Sequence, residues 1–164
     1  MIHLRVQLHN EKHIRISGIA PALLDSLQAL PEILEQRDTP AARQRLLPDP
    51  TAGDANANAE WQRLIAPELR HLFVSAGETV LRDLTGITPA GEVTFAAEHL
   101  NAWMSALNQA RLILGELHGI TEADMEQADF DLSTAKGLAV FRIHVLGYLL
   151  HLLVELEAGT ASSS

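Results

Sequence analysis

One segment limits the folds open to this chain more than any other. Residues 133–157 read as a single long helix whose polar members His144, Gly147, His151 and Glu155 fall on one narrow strip, with Arg142 off it. Most of the remainder is Leu, Val, Ile, Phe or Tyr. A helix apolar around most of its girth has to be covered on several sides. The periodicity therefore points to the central helix of a bundle, with a homodimer interface as the second way of covering it. A membrane span is opposed, because Arg142, His144 and His151 interrupt the only window long enough.

A second helix, predicted from about Ala97 to His118 and stopped by Gly119, carries a charge where none is expected. At about 100° per residue, Leu100, Trp103, Met104, Leu107, Leu114 and Leu117 share one face. Arg111 projects between them, and a guanidinium there needs a partner or a ligand. Asn108, three residues earlier, is expected to point at the same neighbour. The structural expectation is a buried ion pair with Glu60, Glu78 or Asp83 from another element, completed by Asn108. The functional one is an anion or acidic peptide held by the guanidinium fork.

Composition narrows the classes further. At 164 residues the chain suits one domain able to bury a core without staples. Its net charge of −9, with only two lysines, opposes sequence-independent binding to nucleic acid or to an anionic membrane. There are no cysteines, which removes disulfides, thiolate catalysis and thiol redox sensing. The start Met1-Ile2-His3-Leu4-Arg5 has no basic region or signal-peptide core, so a cytoplasmic location is expected.

Alternation over residues 3–9 and 13–17 predicts a short antiparallel hairpin, with Leu4, Val6, Leu8, Ile14 and Ile16 inward. Two strands alone are marginal. Glu92-Val93-Thr94-Phe95 offers a third strand, although Val93 and Phe95 could equally staple the following helix. Pro21 opens a leucine-rich helix that Pro31 breaks or restarts, ending near Glu35. Residues 37–54 read as a connector, basic at first through Arg37, Arg43 and Arg45. Asp54 can cap a short helix with Trp61, Leu64 and Ile65 on one face. Pro67 starts a helix with the stripe Leu69, Leu72, Phe73, Ala76, Val80 and Leu84, ended by Gly86. Thr121-Glu122-Ala123-Asp124 is a turn or a short capped helix. Residues 159–164 read as a disordered tail following a single domain over 1–158.

Other polar groups give weaker signals. His151 and Glu155 are spaced i, i+4, but no further ligand accompanies them, and a contact on a solvated strip is the expectation. His3, His9 and His13 decorate the exposed hairpin. Glu60 and Arg63 flank Trp61, and the acidic run Glu122 to Asp131 is expected to be solvated. No Gly-rich phosphate loop, nucleophile elbow or Ser/His/Asp spacing occurs, so neither an enzyme nor a cofactor is expected.

The order of motifs carries a resemblance. Arg45-Leu46-Leu47-Pro48-Asp49 is followed by Ala59-Glu60-Trp61-Gln62-Arg63-Leu64 and Glu68-Leu69-Arg70. The run from Trp103 to Gly115 then leads into Gly119-Ile120-Thr121-Glu122. Over residues 3–157 this resembles the bacterial domain-of-unknown-function family typified by an actinomycete oxidative-stress regulator. The most specific segment is Trp-x-x-x-Leu-Asn-x-x-Arg-Leu ending in Gly-Ile-Thr. Trp61, Arg63, Trp103, Asn108 and Arg111 match family motif positions. The resemblance implies a small, mainly helical, non-enzymatic regulatory protein, linked to transcription or to Clp-type proteolysis under stress. A cysteine-based switch is the one family property this chain lacks the atoms for.

Together these readings predict a mainly α fold: four or five helices in a bundle, with a small N-terminal antiparallel hairpin of two or three strands. The expected function is protein–protein interaction without catalysis, with a homodimer through 133–157 and no nucleic-acid or membrane partner. The hairpin edge and the region of Arg43, Arg45 and Trp61 are the candidate surfaces. The alternative is a small-molecule or anion-binding domain using Arg111 and Asn108, with Glu60, Trp61, Arg63 and Trp103 as the other candidate residues. That alternative predicts a cavity of several hundred Å³ at Arg111. The interaction reading predicts a fully paired Arg111 and no cavity.

Overall fold

The computed structural model describes residues 3–127 and 129–161. It begins with β1 (Arg5–Asn10) and β2 (His13–Ser17), paired antiparallel with Val6 opposite Ile16 and Leu8 opposite Ile14. The third strand is real: β3 (Val93–Ala96) pairs antiparallel with β2, placing Ile14 opposite Phe95 and Ile16 opposite Val93. β2 is thus central, which is why Ile14 and Ile16 are buried while Leu8, at the irregular end of β1, is exposed. At Gly91 the backbone takes φ +80°, and Ile19 donates its N–H to the Gly91 carbonyl at 3.1 Å. A side chain there would meet the Ile19 carbonyl oxygen, so only glycine lets these two segments close up.

Helices follow on one side. α1 (Pro21–Gln28) and α2 (Leu30–Glu35) are separate, because Pro31 cannot continue the first helix but suits the opening turn of the next. The region read as a connector contains a further helix, α3 (Pro40–Leu46), which buries only Ala42. Only Ala42 and, in part, Leu46 face the core, too few for a periodic stripe to show in the sequence. α4 (Ala55–Leu64) is capped as predicted, the Asp54 side chain accepting from the Ala57 N–H at 3.0 Å. α5 (Ala66–Leu84) starts with Pro67 in its first turn.

α6 (Leu100–Leu117) is the axis of the fold. It buries Trp103, Ala106, Leu107, Ala110, Ile113 and Leu114, and packs most extensively on α8 and α5. Gly119, at φ +58°, ends it. α7 (Glu122–Met125) is one short turn held by a capping box between Thr121 and Asp124. α8 (Ala135–Ala161) packs on α6, α1 and β1, burying Leu146, Leu149 and Leu153. By length and composition alone it would also cross a membrane. It extends past Glu157, so residues 159–161, read as part of the tail, continue the helix, and residues 162–164 lie outside the described residues. The buried side chains of the sheet, α1, α2, α5, α6 and α8 form one continuous core. This is the helical bundle with a small antiparallel sheet that the sequence predicts.

Candidate functional site

Two polar positions on α6 meet different surroundings. Near its start, Trp103 is fully buried and stacks on Phe95 with ring centroids 4.6 Å apart. Its indole N–H donates to Asp83 Oδ2 at 2.9 Å, and the same carboxylate receives His99 Nδ1 at 2.9 Å. This cluster ties the end of α5 to the start of α6 and to β3. Asp83, proposed above as a partner for Arg111, is therefore occupied elsewhere, and Trp103 is a packing residue rather than part of a binding site.

Arg111 is the second position, and here the expectation of an enclosed ion pair is corrected. Among the described residues no carboxylate lies within ion-pair distance of it. Glu60 on α4 and Glu78 on α5 are exposed and face elsewhere. The buried face of α6 is centred on Ala106, Ala110 and Ile113, so Arg111 lies on its flank toward α8 and is half-buried. Its Nε donates to the Ile143 carbonyl at 3.3 Å. The guanidinium lies against bare backbone at Gly147, where a Cβ would come within 2.9 Å of Nε and 3.1 Å of Cζ. Gly147, which reads in the sequence as one member of a polar strip, is the space the guanidinium occupies. Asn108 does not join it. A helical step beyond Leu107 turns Asn108 outward, and it is exposed.

Arg111 lines a cleft of about 490 Å³ together with Arg45, Leu112, Gly115, Glu116, Gly119, Ile120, Met125 and Ile143. Arg45 reaches it from α3, with Nε 3.7 Å from Glu116 Oε1 in an exposed pair. The two guanidiniums and one carboxylate leave a formal charge of +1 on the cleft. Its walls are polar and apolar in about equal measure, with Leu112, Ile120, Met125 and Ile143 supplying the apolar part. A slightly larger cleft of about 510 Å³ between α1 and the end of α5 is lined by Leu, Ile, Pro, Thr and one Gln, with no charged group.

The remaining candidates scatter. Trp61 is half-buried, while Glu60 and Arg63 beside it are exposed, and neither reaches Arg111. Neighbouring Gln62 fastens α4 to the preceding loop through the Leu47 carbonyl and Asp49 Oδ1, each at 3.1 Å. Leu64 (52% exposed), Ile65 (47%) and Leu72 (61%) lie open, contrary to their expected places on buried stripes. On α5 the buried residues are Ala66, Gly77 and Val80, of which only Val80 belongs to the expected stripe. His151 and Glu155 form their weak i, i+4 contact at 3.0 Å. Among the described residues no group of three His, Asp or Glu could hold a metal ion.

Sequence reasoning passed over two further features. Arg70 grips Asp38 through both carboxylate oxygens, at 2.8 and 2.5 Å. Those hydrogen bonds hold the Asp38 carboxyl below its ordinary range. Gln109 is fully buried, its Nε2 donating to the Phe73 carbonyl and to Ser105 Oγ, each at 3.1 Å, while its Oε1 has no partner. Both depend on partners more than thirty residues distant in the chain or on a helix too short to predict.

Residues 15–156 match the family described as a domain of unknown function, DUF2017. No curated protein and no solved structure matches the chain.

Proposed function

The chain belongs to the DUF2017 family, whose description assigns no activity, and we propose that it is a non-catalytic, cytoplasmic recognition domain that takes an anionic group of its partner into the Arg111 cleft. One observation carries this reading: a half-buried guanidinium with a single backbone acceptor, on the wall of a cavity, with no carboxylate among the described residues within ion-pair distance of it. A half-buried guanidinium without an internal counterion keeps donors free to pair with an external anion. Arg45 takes the place that Asn108 was expected to fill. The test is thermal unfolding of wild type and Arg111→Met with and without acetate, sulfate or phosphate. The reading expects both proteins to fold and only wild type to gain stability from an anion. Loss of the fold in Arg111→Met, or equal anion responses in the two, would remove it.

A second reading, protein interaction in a regulatory setting, is favoured by a different observation. Leu64 and Ile65 expose apolar surface at the junction of α4 and α5, where Glu60, Arg63 and Glu68 are their neighbours in the chain, and Leu72 exposes more further along α5. Exposed apolar groups rimmed by charge are a common docking pattern. Loss of partner recovery from native cytosol on Leu72→Asp, with folding retained, is the expected result. A homodimer through α8 would use the strip of Tyr148, His151, Val154 and Glu155, where Tyr148 is 56% exposed; molar mass by light scattering decides it. The stress-regulatory role implied by the likeness to the actinomycete regulator is supported by motif order alone, and would have to operate without a thiol.

A further inference from the structure

We infer that the Arg111 cleft is a site for a single carboxylate joined to a branched apolar side chain. That chemistry is shared by a protein C terminus ending in Leu, Ile or Val and by a free branched-chain acid. The inference rests on the reading of the cleft as an anion site, and it goes further in fixing the class of anion.

Charge comes first. The Nε of Arg111 is engaged by the Ile143 carbonyl, and the guanidinium is seated against Gly147, so the fork is held in one orientation. A planar fork held in this way matches the two oxygens of a carboxylate. Arg45 is partly neutralised by Glu116 at 3.7 Å. Glu116 and the chain's net charge of −9 repel any anion, but a dianion about twice as strongly as a monoanion. A monoanion matches the +1 left by Arg111, Arg45 and Glu116.

Shape comes second. Gly115 lies on the cleft wall within α6, and an added Cβ there would meet nothing within 4 Å. Neither packing nor a left-handed backbone explains it, and glycine is a poor helix former beside alanine. Its effect is to leave an open strip between Leu112 and the Ile120–Met125 side of the cleft, the Gly115 carbonyl itself being taken by the Ile120 N–H at 2.9 Å. A branched apolar side chain lying there would have Leu112, Ile120 and Met125 around it, with its carboxylate directed at Arg111 one helical turn away.

The experiment titrates the full chain by calorimetry with four probes. These are an N-acetylated pentapeptide ending in Leu, the same peptide as its C-terminal amide, 4-methylpentanoate and inorganic phosphate. The carboxylate form of the peptide or 4-methylpentanoate should bind at least about tenfold more tightly than the amide. Binding should vanish in Gly115→Leu, whose side chain fills the strip, and weaken in Arg111→Lys, which keeps the charge and loses the fork. A peptide that outcompetes the free acid identifies a chain end as the source, and equal binding identifies a small acid. Phosphate bound tightly while both carboxylates are silent overturns the carboxylate assignment and leaves the anion reading standing. An amide that binds as well as the acid also overturns the assignment. Silence from all four probes removes both readings.

Discussion

Trp103 and Arg111 stand little more than two turns apart on α6, and the chain treats them in opposite ways. The indole N–H of Trp103 has an acceptor in Asp83, whose carboxylate is shared with His99, and its ring is covered by Phe95. Arg111 is given one backbone carbonyl, a glycine to rest on and an opening to solvent. Trp103 is taken wholly out of water and Arg111 partly, each with the desolvation cost that implies. At the first the fold supplies the compensating partner, and the position is structural. At the second it does not, and the position is receptive. Whether a buried polar group is a strut or a handle depends on where its partner comes from.

Mutations should separate the two ends of the helix in size as well as kind. Trp103→Ala is expected to cost the most, about 3–5 kcal/mol, because it deletes the largest buried side chain. Asp83→Ala should follow at about 1–3 kcal/mol, since it strands the buried indole N–H. Chemical denaturation measures both. Arg111→Met should cost no more than about 1 kcal/mol, roughly one hydrogen bond, whereas breaking a true buried ion pair would cost about 3–5 kcal/mol. Equal losses at Trp103 and Arg111 would erase the contrast. Gly115→Ala should stabilise by roughly 0.5–1 kcal/mol, as nothing opposes the methyl group.

The smallest effect lies away from α6. The Asp38 carboxyl is held below its usual range by the Arg70 hydrogen bonds. Its contribution is therefore present above the carboxylate's unfolded-state pKa and is lost as pH falls through the lower folded value. Both side chains are well exposed, so solvent screens the pair. Asp38→Asn should flatten the acid limb of the stability curve slightly without changing neutral-pH binding at Arg111.

Regular pattern was readable from the residues. Alternation gave β1 and β2, Asp54 and Pro67 gave the starts of α4 and α5, and the last helix was legible as an element. α8 nevertheless buries one stripe while Tyr148 and Val154 stay exposed, and α6 takes the central place expected of it. Arg111 stands out in the sequence as a charge within the apolar stripe of α6, but it lies on the flank of the buried face. Its surroundings were not readable, because they belong to other elements: Gly147 from α8, Arg45 from an α3 with no apolar period, and Ile143 through its backbone. Periodicity places a residue on a face to within a helical step. That margin separates an enclosed guanidinium from one on a flank, and it turns Asn108 and Leu72 from inward to outward. Small residues decide such margins. Ala106 and Ala110 on α6, and Ala66 and Gly77 on α5, let neighbours approach where larger side chains had seemed to define the stripe.

Arginine side-chain Nε–Hε resonances, recorded with and without 4-methylpentanoate, test the receptive guanidinium most directly. The account predicts that one signal absent from the Arg111→Met spectrum moves on titration, while the indole N–H of Trp103 stays in place. An Arg111 signal indifferent to every added anion, in a protein whose Arg111→Met form no longer folds, would make this residue a strut like Trp103 and contradict it.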